Sequence, residues 1–352
     1  MQNDMEQIID WGVIGSGGIA RRRTIPEGLM RADNTRLISI YDIDDDVNNV
    51  VANEFGAIAC NSIENLLESD IDAVYIASPA FAHFDHVVKC AKAKKNILCE
   101  KPLGMTTKET EQMMQICKEF GVLLRVGFMM PFQSQHQAAL KLIQEGKLGK
   151  MVYGRAQLSC WYPPIKGAWR QDPALAGGGS LMDMGGHCID LLEMYFGKVK
   201  EVSCFINNNL HDYSSEDSAV ATLFFESGAI ATVDTFFCIP DNSSKNMLEL
   251  YGSKGSIIAK NTIGQGESGE MVAFIKDDYS GYDAGQSREA NNGFVIKPEP
   301  INTYLSEIHE FNTLIRENKS QLDENRGLRN QLVLTACYEA AKTKKVISVN
   351  YT

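Results

Sequence analysis

The sequence predicts an α/β protein of two domains: a doubly wound parallel sheet over residues 1–127, then an α+β domain with a mainly antiparallel open sheet over residues 128–352. Three observations carry that reading. The chain has 352 residues, more than the ~100–200 typical of one domain. Its N-terminal part alternates short β-branched runs with helical patterns, as right-handed βαβ units do. After residue 128 the runs lengthen and meet at hairpin signals, chief among them Glu226-Ser227-Gly228 between Ser218–Phe225 and Ala229–Phe237.

In chain order, the first domain offers strands at Trp11–Ile14, Arg36–Tyr41, Ala73–Ala77, Ile97–Cys99 and Leu123–Val126. Helical patterns near Gly18–Met30, Asp45–Phe55, Ile63–Leu67, His83–Ala93 and Lys108–Phe120 lie between them. The second domain opens with a helix near Ser134–Glu145 and continues with strands at Met151–Ser159, Glu201–Ile206, Ser218–Phe225, Ala229–Phe237, Met247–Tyr251 and Ser256–Ala259. Asn261–Asn292, rich in Gly, Ser, Asn and Asp, reads as an irregular excursion of loops and strands; a helix over Asn330–Lys344 and a strand over Val346–Val349 follow.

Composition narrows the function classes. Hydrophobic residues make up 44% and charged residues 22%, as in ordinary globular proteins. No apolar run approaches the ~18–20 residues of a membrane span, and the polar, acidic N-terminus lacks the features of a secretory signal. A net charge of −11 repels phosphate backbones and anionic lipid, which argues against nucleic acid or membrane as the main partner. Nine cysteines without a C-x-x-C pair argue against a disulfide framework or zinc knuckle, and reduced thiols fit a cytoplasmic location.

Gly15-Ser16-Gly17-Gly18-Ile19-Ala20 follows a strand and opens a helix, the context in which G-x-G-x-x-[GA] binds a dinucleotide. Gly15 permits the turn, Gly17 lets the backbone approach a pyrophosphate, and the helix N-terminus supplies amides for it. Asp42, closing the second strand, stands where such folds hold the adenosine ribose. Its carboxylate favours NAD over NADP; Arg21-Arg22-Arg23 in the first helix turn argue the other way. Ser78, Pro79 and His83 lie in another strand-to-helix loop at the ligand edge, where His83 reads first as a staple on a loop carbonyl. His86 lacks a third ligand for a metal. Glu100-Lys101-Pro102 sets a lysine at the carboxyl end of a strand.

Together with Trp169-Arg170 and Gly177-Gly178-Gly179 leading to Asp183-x-x-x-His187, these motifs resemble the glucose–fructose oxidoreductase, inositol dehydrogenase and rhizopine-catabolism (Gfo/Idh/MocA) family over nearly the whole chain. The chain departs from that pattern at Met129-Met130-Pro131-Phe132, where many members carry an arginine. The resemblance implies a Rossmann domain, bound NAD, and Lys101 beside the nicotinamide at the reacting oxygen. Oxidising a secondary alcohol builds negative charge on oxygen, so a cation and a base are both needed. Asp183 and His187, four apart, share a helix face; His187 is the general-base candidate, and Asp183 would orient Lys101 and the hydroxyl.

Residue by residue, other readings stay open. Ser180-x-x-Asp183 has capping-box spacing, and His187 beside Leu191 and Met194 also suits a core. The resemblance brings Trp169 and Arg170 to cofactor and substrate; a surface ion pair is the plainer role for Arg170. Trp161-Tyr162 offers a sugar-stacking wall or core packing, and no metal site is expected.

The expected function is an NAD-dependent dehydrogenase that reversibly oxidises a secondary hydroxyl of a sugar, glycoside or cyclitol, with Lys101, Asp183 and His187 catalytic. The alternative is a redox-neutral relative that keeps NAD bound while it cleaves or epimerises a glycoside. A non-catalytic regulator has no use for Lys101, Asp183 and His187. Both side-chain sets of Ser218–Phe225 are largely apolar, which predicts a homo-oligomer, dimer or tetramer, through the C-terminal sheet.

Overall fold

The computed structural model describes residues 7–275, 284, 293–317 and 326–351, which divide into two compact units. The first unit draws on Met1–Met129, Asp172–Gly177 and Asn302–Gln331. Its strands are β1 (Ile9–Ile14), β2 (Thr35–Tyr41), β3 (Ile58–Ala59), β4 (Ala73–Ile76), β5 (Asn96–Glu100) and β6 (Leu124–Gly127). They pair in parallel in the order β3-β2-β1-β4-β5-β6. The order reverses between β1 and β4, and the carboxyl edge at such a reversal is where doubly wound sheets bind their ligands. Because both faces are covered, the inner strands are largely apolar, and all four residues of β4 are buried. One core packs around Val74, Ile97 and Cys99, and the other around Trp11, Tyr75 and Leu98.

Two helices depart from the expected pattern. Ala20–Leu29 winds with i→i+5 bonding: the Met30 N–H donates to the Ile25 carbonyl at 2.9 Å, and the helix holds Pro26, which has no N–H to give. Thr303–Arg316, to which the sequence reading assigned nothing, is a helix whose N–H at Leu305 is capped by Asn302. Its face of Tyr304, Ile308, Phe311 and Leu314 is buried. Phe311 lies 5.2 Å from the Trp11 ring, and Trp11 Nε1 donates to Asn312 at 3.1 Å. The helix Thr303–Arg316 thus completes the core of the first unit, although the sequence reading gave residues 128–352 to the second.

The second unit comprises Met130–Gln171, Gly178–Ile301 and Leu332–Thr352. Among the described residues its nine strands run in the order β14-β13-β12-β11-β7-β10-β9-β8-β15. In chain order they are β7 (Met151–Ser159), β8 (Val199–Asn207), β9 (Ser218–Phe225), β10 (Ile230–Phe236), β11 (Leu248–Gly252), β12 (Gly255–Lys260), β13 (Glu270–Ile275), β14 (Phe294–Val295) and β15 (Ile347–Ser348). Every pair is antiparallel except β7 with β10. The β9–β10 hairpin turns at Gly228, whose φ of +85° suits glycine. Within β9, Ala219, Ala221, Leu223 and Phe225 face the core, while Val220 on the opposite face is 42% exposed. The helix Gly186–Phe196 packs on β7 closely enough that a Cβ on Gly154 would stand 2.6 Å from the Phe196 ring. Of the expected excursion Asn261–Asn292, residues 276–283 and 285–292 lie outside the described residues; β13 within it is a regular strand. No described helix is long and apolar enough to cross a membrane, and all nine cysteines are free thiols.

Candidate functional site

In the first unit, the loops leaving β1, β2, β4 and β5 meet. Gly15 has φ +82°, and a Cβ there would lie 2.5 Å from the Ser78 nitrogen, so the loops after β1 and β4 touch backbone to backbone. Only glycine satisfies both constraints. The Gly17 N–H donates to Asp42 Oδ2 at 3.0 Å and the Asp44 N–H to Oδ1 at 3.1 Å, which fixes the carboxylate at the end of β2. Ser16 is wholly buried, and its hydroxyl has no hydrogen-bond partner among the described residues. Gly18 has φ +49° with open space around it, and Ile19 begins the helix turn. Of the three arginines, Arg21 pairs with Glu54 at 2.8 Å, Arg22 reaches back to the Gly18 carbonyl, and Arg23 pairs with Glu27 at 2.9 Å.

Pro79 precedes the helix Ala80–Lys92, which carries His83. The buried His83 ring faces the Pro102 carbonyl with Nδ1 (2.9 Å) and the Ser78 carbonyl with Nε2 (2.8 Å), so it joins the loops after β4 and β5. His86 faces the Ser78 hydroxyl at 2.9 Å, and burial lowers its pKa to about 4. Glu100, before the partly exposed Lys101, is gripped from below: Thr24 donates to the Tyr75 hydroxyl at 2.9 Å, and Tyr75 donates to Glu100 at 2.6 Å. Burial, then the Glu100 charge, pushes the Tyr75 phenol well up; the same two causes, in the same order, raise the buried Glu307 carboxyl. Sequence reasoning missed Thr24, Tyr75 and Glu307, since nothing local marks a strand tyrosine as a carboxylate donor.

In the second unit, Trp169, Arg170, Asp183 and Tyr162 come together. Trp169–Gln171 forms one tight turn, with the Arg170 guanidinium 4.2 Å above the Trp169 ring. Arg170 Nε donates to Asp183 Oδ1 at 3.1 Å. The Tyr162 phenol is pushed up by burial and feels both Arg170 and Asp183; its ring also lies 5.0 Å from Phe237. Trp161, 42% exposed, stands edge-on to His211 at 5.2 Å, with Tyr213 stacked beneath.

Asp183 lies in a wide i→i+5 turn, Leu181–Gly185, that continues into the α-helix carrying His187, which is 9% exposed. The capping-box alternative for Asp183 does not hold. The Ser180 N–H donates to the Glu216 carbonyl, and the Ser180 hydroxyl donates to the Thr235 carbonyl at 3.2 Å. Met129 and Met130 are buried. Among the described residues no three His, Cys, Asp or Glu side chains gather as a metal-binding group.

Comparison with known proteins agrees with this architecture. Residues 9–128 match the oxidoreductase family model for an NAD-binding Rossmann fold, and residues 136–258 match the GFO/IDH/MocA C-terminal domain. A 1,5-anhydro-D-fructose reductase of Ensifer adhaerens is 26% identical over 309 residues, 87% of each chain. A myo-inositol 2-dehydrogenase of Thermotoga maritima is 30% identical over 263 residues, 71% of this chain and 75% of that one. The crystal structure of an aldose-aldose oxidoreductase from Caulobacter crescentus has the same fold, with a TM-score of 0.85 at 22% identity over 97% of this chain and 100% of that one.

Proposed function

The chain belongs to the Gfo/Idh/MocA family of oxidoreductases, and from that premise we propose that it is an NAD-dependent dehydrogenase of a sugar, glycoside or cyclitol. It would convert a secondary hydroxyl to a ketone, reversibly. The observation that carries this reading is the Asp183 carboxylate, held by Arg170 on a buried helix start, with His187 four residues on. The substrates for which the two relatives are named, an anhydro sugar and a cyclitol, support the same class.

The residues present suit the cofactor. The helix start after the Gly15–Ile19 loop and the Ser16 hydroxyl would hold the pyrophosphate. Asp42, oriented by the Gly17 and Asp44 amides, would accept both hydroxyls of the adenosine ribose and repel a 2′-phosphate. Arg21 and Arg23 are engaged by carboxylates, which favours NAD over NADP. Ser78, Pro79, His83 and Glu100 shape the adjoining loops.

Bound NAD supplies the hydride acceptor. The chain supplies the rest. Lys101 places its ammonium at the developing alkoxide, where a fixed charge lowers the barrier. His187 takes the hydroxyl proton as general base. Asp183 orients the hydroxyl, and Arg170 holds Asp183. Trp161 and Tyr162 offer aromatic surface to the sugar ring.

The partly exposed apolar side chains Val220, Phe224 and Ile230 share the open sheet face, which supports self-association through it; a monomeric mass by light scattering would exclude that. The function itself is tested by mixing the protein with NAD and a panel of free sugars, glycosides and inositols and reading NADH absorbance and product identity. Net NADH with a ketone product supports the dehydrogenase. Product without net NADH supports the redox-neutral alternative, and no turnover on any class overturns both.

A further inference from the structure

A helix start leaves its first N–H groups without intrahelical partners. At the helix that carries Asp183, four consecutive ones are satisfied from two distant residues. The Gly179 N–H donates to Glu216 Oε2 at 2.9 Å, the Ser180 N–H to the Glu216 carbonyl at 2.9 Å, and the Leu181 N–H to Glu216 Oε1 at 3.0 Å. The Met182 N–H donates to the Tyr338 hydroxyl at 3.2 Å, and that hydroxyl donates to Glu216 Oε1 at 2.8 Å. The next amide, that of Asp183, is the first to bond within the helix, to the Gly179 carbonyl at 2.9 Å. The approach is so close that a Cβ on Gly178 would overlap the Tyr338 hydroxyl and one on Gly179 the Glu216 backbone.

The adjacent residue grips the other half of the ion pair. The Ser215 hydroxyl donates to the Arg170 carbonyl at 2.9 Å, and the Ser215 N–H to the Gln171 carbonyl at 3.2 Å. Asp183 and Arg170 therefore hang from neighbouring residues of one segment just before β9.

We propose that Glu216 is a positioning residue: with Tyr338 it fixes the start of the helix and so the direction in which Asp183 presents its carboxylate, while Ser215 sets Arg170 to match. This rests on the catalytic role given to Asp183 above. A carboxylate is suited to the task because its two oxygens accept from three donors at once. An amide at this position would turn an N–H toward the Gly179 N–H.

The test compares Glu216→Gln, Tyr338→Phe, Asp183→Asn and the Glu216→Gln/Asp183→Asn double variant with the parent. Amide exchange at residues 179–182 should quicken in Glu216→Gln and, less so, in Tyr338→Phe, whatever substrate is in use. On the best substrate of the NAD-reduction panel, Glu216→Gln should lower kcat by about 10–100-fold with KM for NAD unchanged, the scale of a small misplacement of a reacting group. The double variant should be no slower than Asp183→Asn alone, because both act through one carboxylate. Should Glu216→Gln fail to fold, Tyr338→Phe, which keeps the carboxylate, reads the same two quantities. Unchanged exchange and kcat in the folded variants, or losses that multiply with Asp183→Asn, overturn the proposal. Parental turnover in Asp183→Asn overturns the catalytic reading itself, and the positioning role with it.

Discussion

Replacing Gly15 by alanine tests whether the loops after β1 and β4 are held together by backbone contact. The structure gives two separate penalties. At φ +82° an L-residue sits in the left-handed region, which costs roughly 1–2 kcal/mol. The added Cβ would stand 2.5 Å from the Ser78 nitrogen and 2.8 Å from the Ala77 carbonyl carbon, backbone atoms that cannot swing aside. Overpacking of this kind costs about 1–3 kcal/mol, for a total of about 2–5 kcal/mol. Gly56 is the control. It caps the helix Asp45–Phe55 at φ +70° with nothing within 4 Å of its Cβ position, so Gly56→Ala should carry the conformational penalty alone, about 1–2 kcal/mol. The assay is urea denaturation of both variants and the parent without cofactor. Equal losses would refute the reasoning, because the difference measures the contact between the two loops.

Lys101→Met should leave NAD binding intact and slow turnover on the best substrate by about 2.7–4 kcal/mol of transition-state stabilisation, read as kcat; a rate within about threefold of the parent would remove Lys101 from the mechanism. Asp42→Ala should narrow the ratio of kcat/KM for NAD over NADP by about tenfold, and an unchanged ratio would place the discrimination elsewhere. His136, buried with Nδ1 facing the Met130 carbonyl at 2.8 Å, has its pKa lowered by burial to about 4. The unfolded chain therefore binds the extra proton first as pH falls below 6.5, and the folded state loses stability down to about pH 4. Between pH 7 and 5 this should remove about 2 kcal/mol, measured by denaturation at both values, and the slope should flatten in His136→Gln.

What the sequence made legible is local. Gly15, Asp42 and Glu100-Lys101-Pro102 are readable because a turn or a strand end needs particular residue types within a few positions. The hairpin at Glu226-Ser227-Gly228 is of the same kind. The groups that hold those motifs in place are far away in the chain: Tyr75 is 25 residues from Glu100, Glu216 is 37 from Gly179, and Tyr338 is 122 from Glu216. A single sequence carries no mark of such pairings. The wide turn through Asp183 was hidden as well, since the spacing of Asp183 and His187 suggests an ordinary helix. Thr303–Arg316 was different, because its signals were present: Asn302 as a cap, and Tyr304, Ile308, Phe311 and Leu314 at helical spacing.

The central claim, that this chain moves a hydride from a carbinol carbon of a sugar-like substrate to NAD, is tested most directly by isotope. The parent protein is incubated with unlabelled NAD and, separately, perdeuterated glucose, a perdeuterated methyl glucoside and perdeuterated myo-inositol, and the recovered nicotinamide cofactor is weighed by mass spectrometry. A single deuterium on the NADH formed with one of these substrates, absent when Lys101→Met replaces the parent, is the predicted result. Substrate consumed with no deuterium ever reaching the nicotinamide would contradict it.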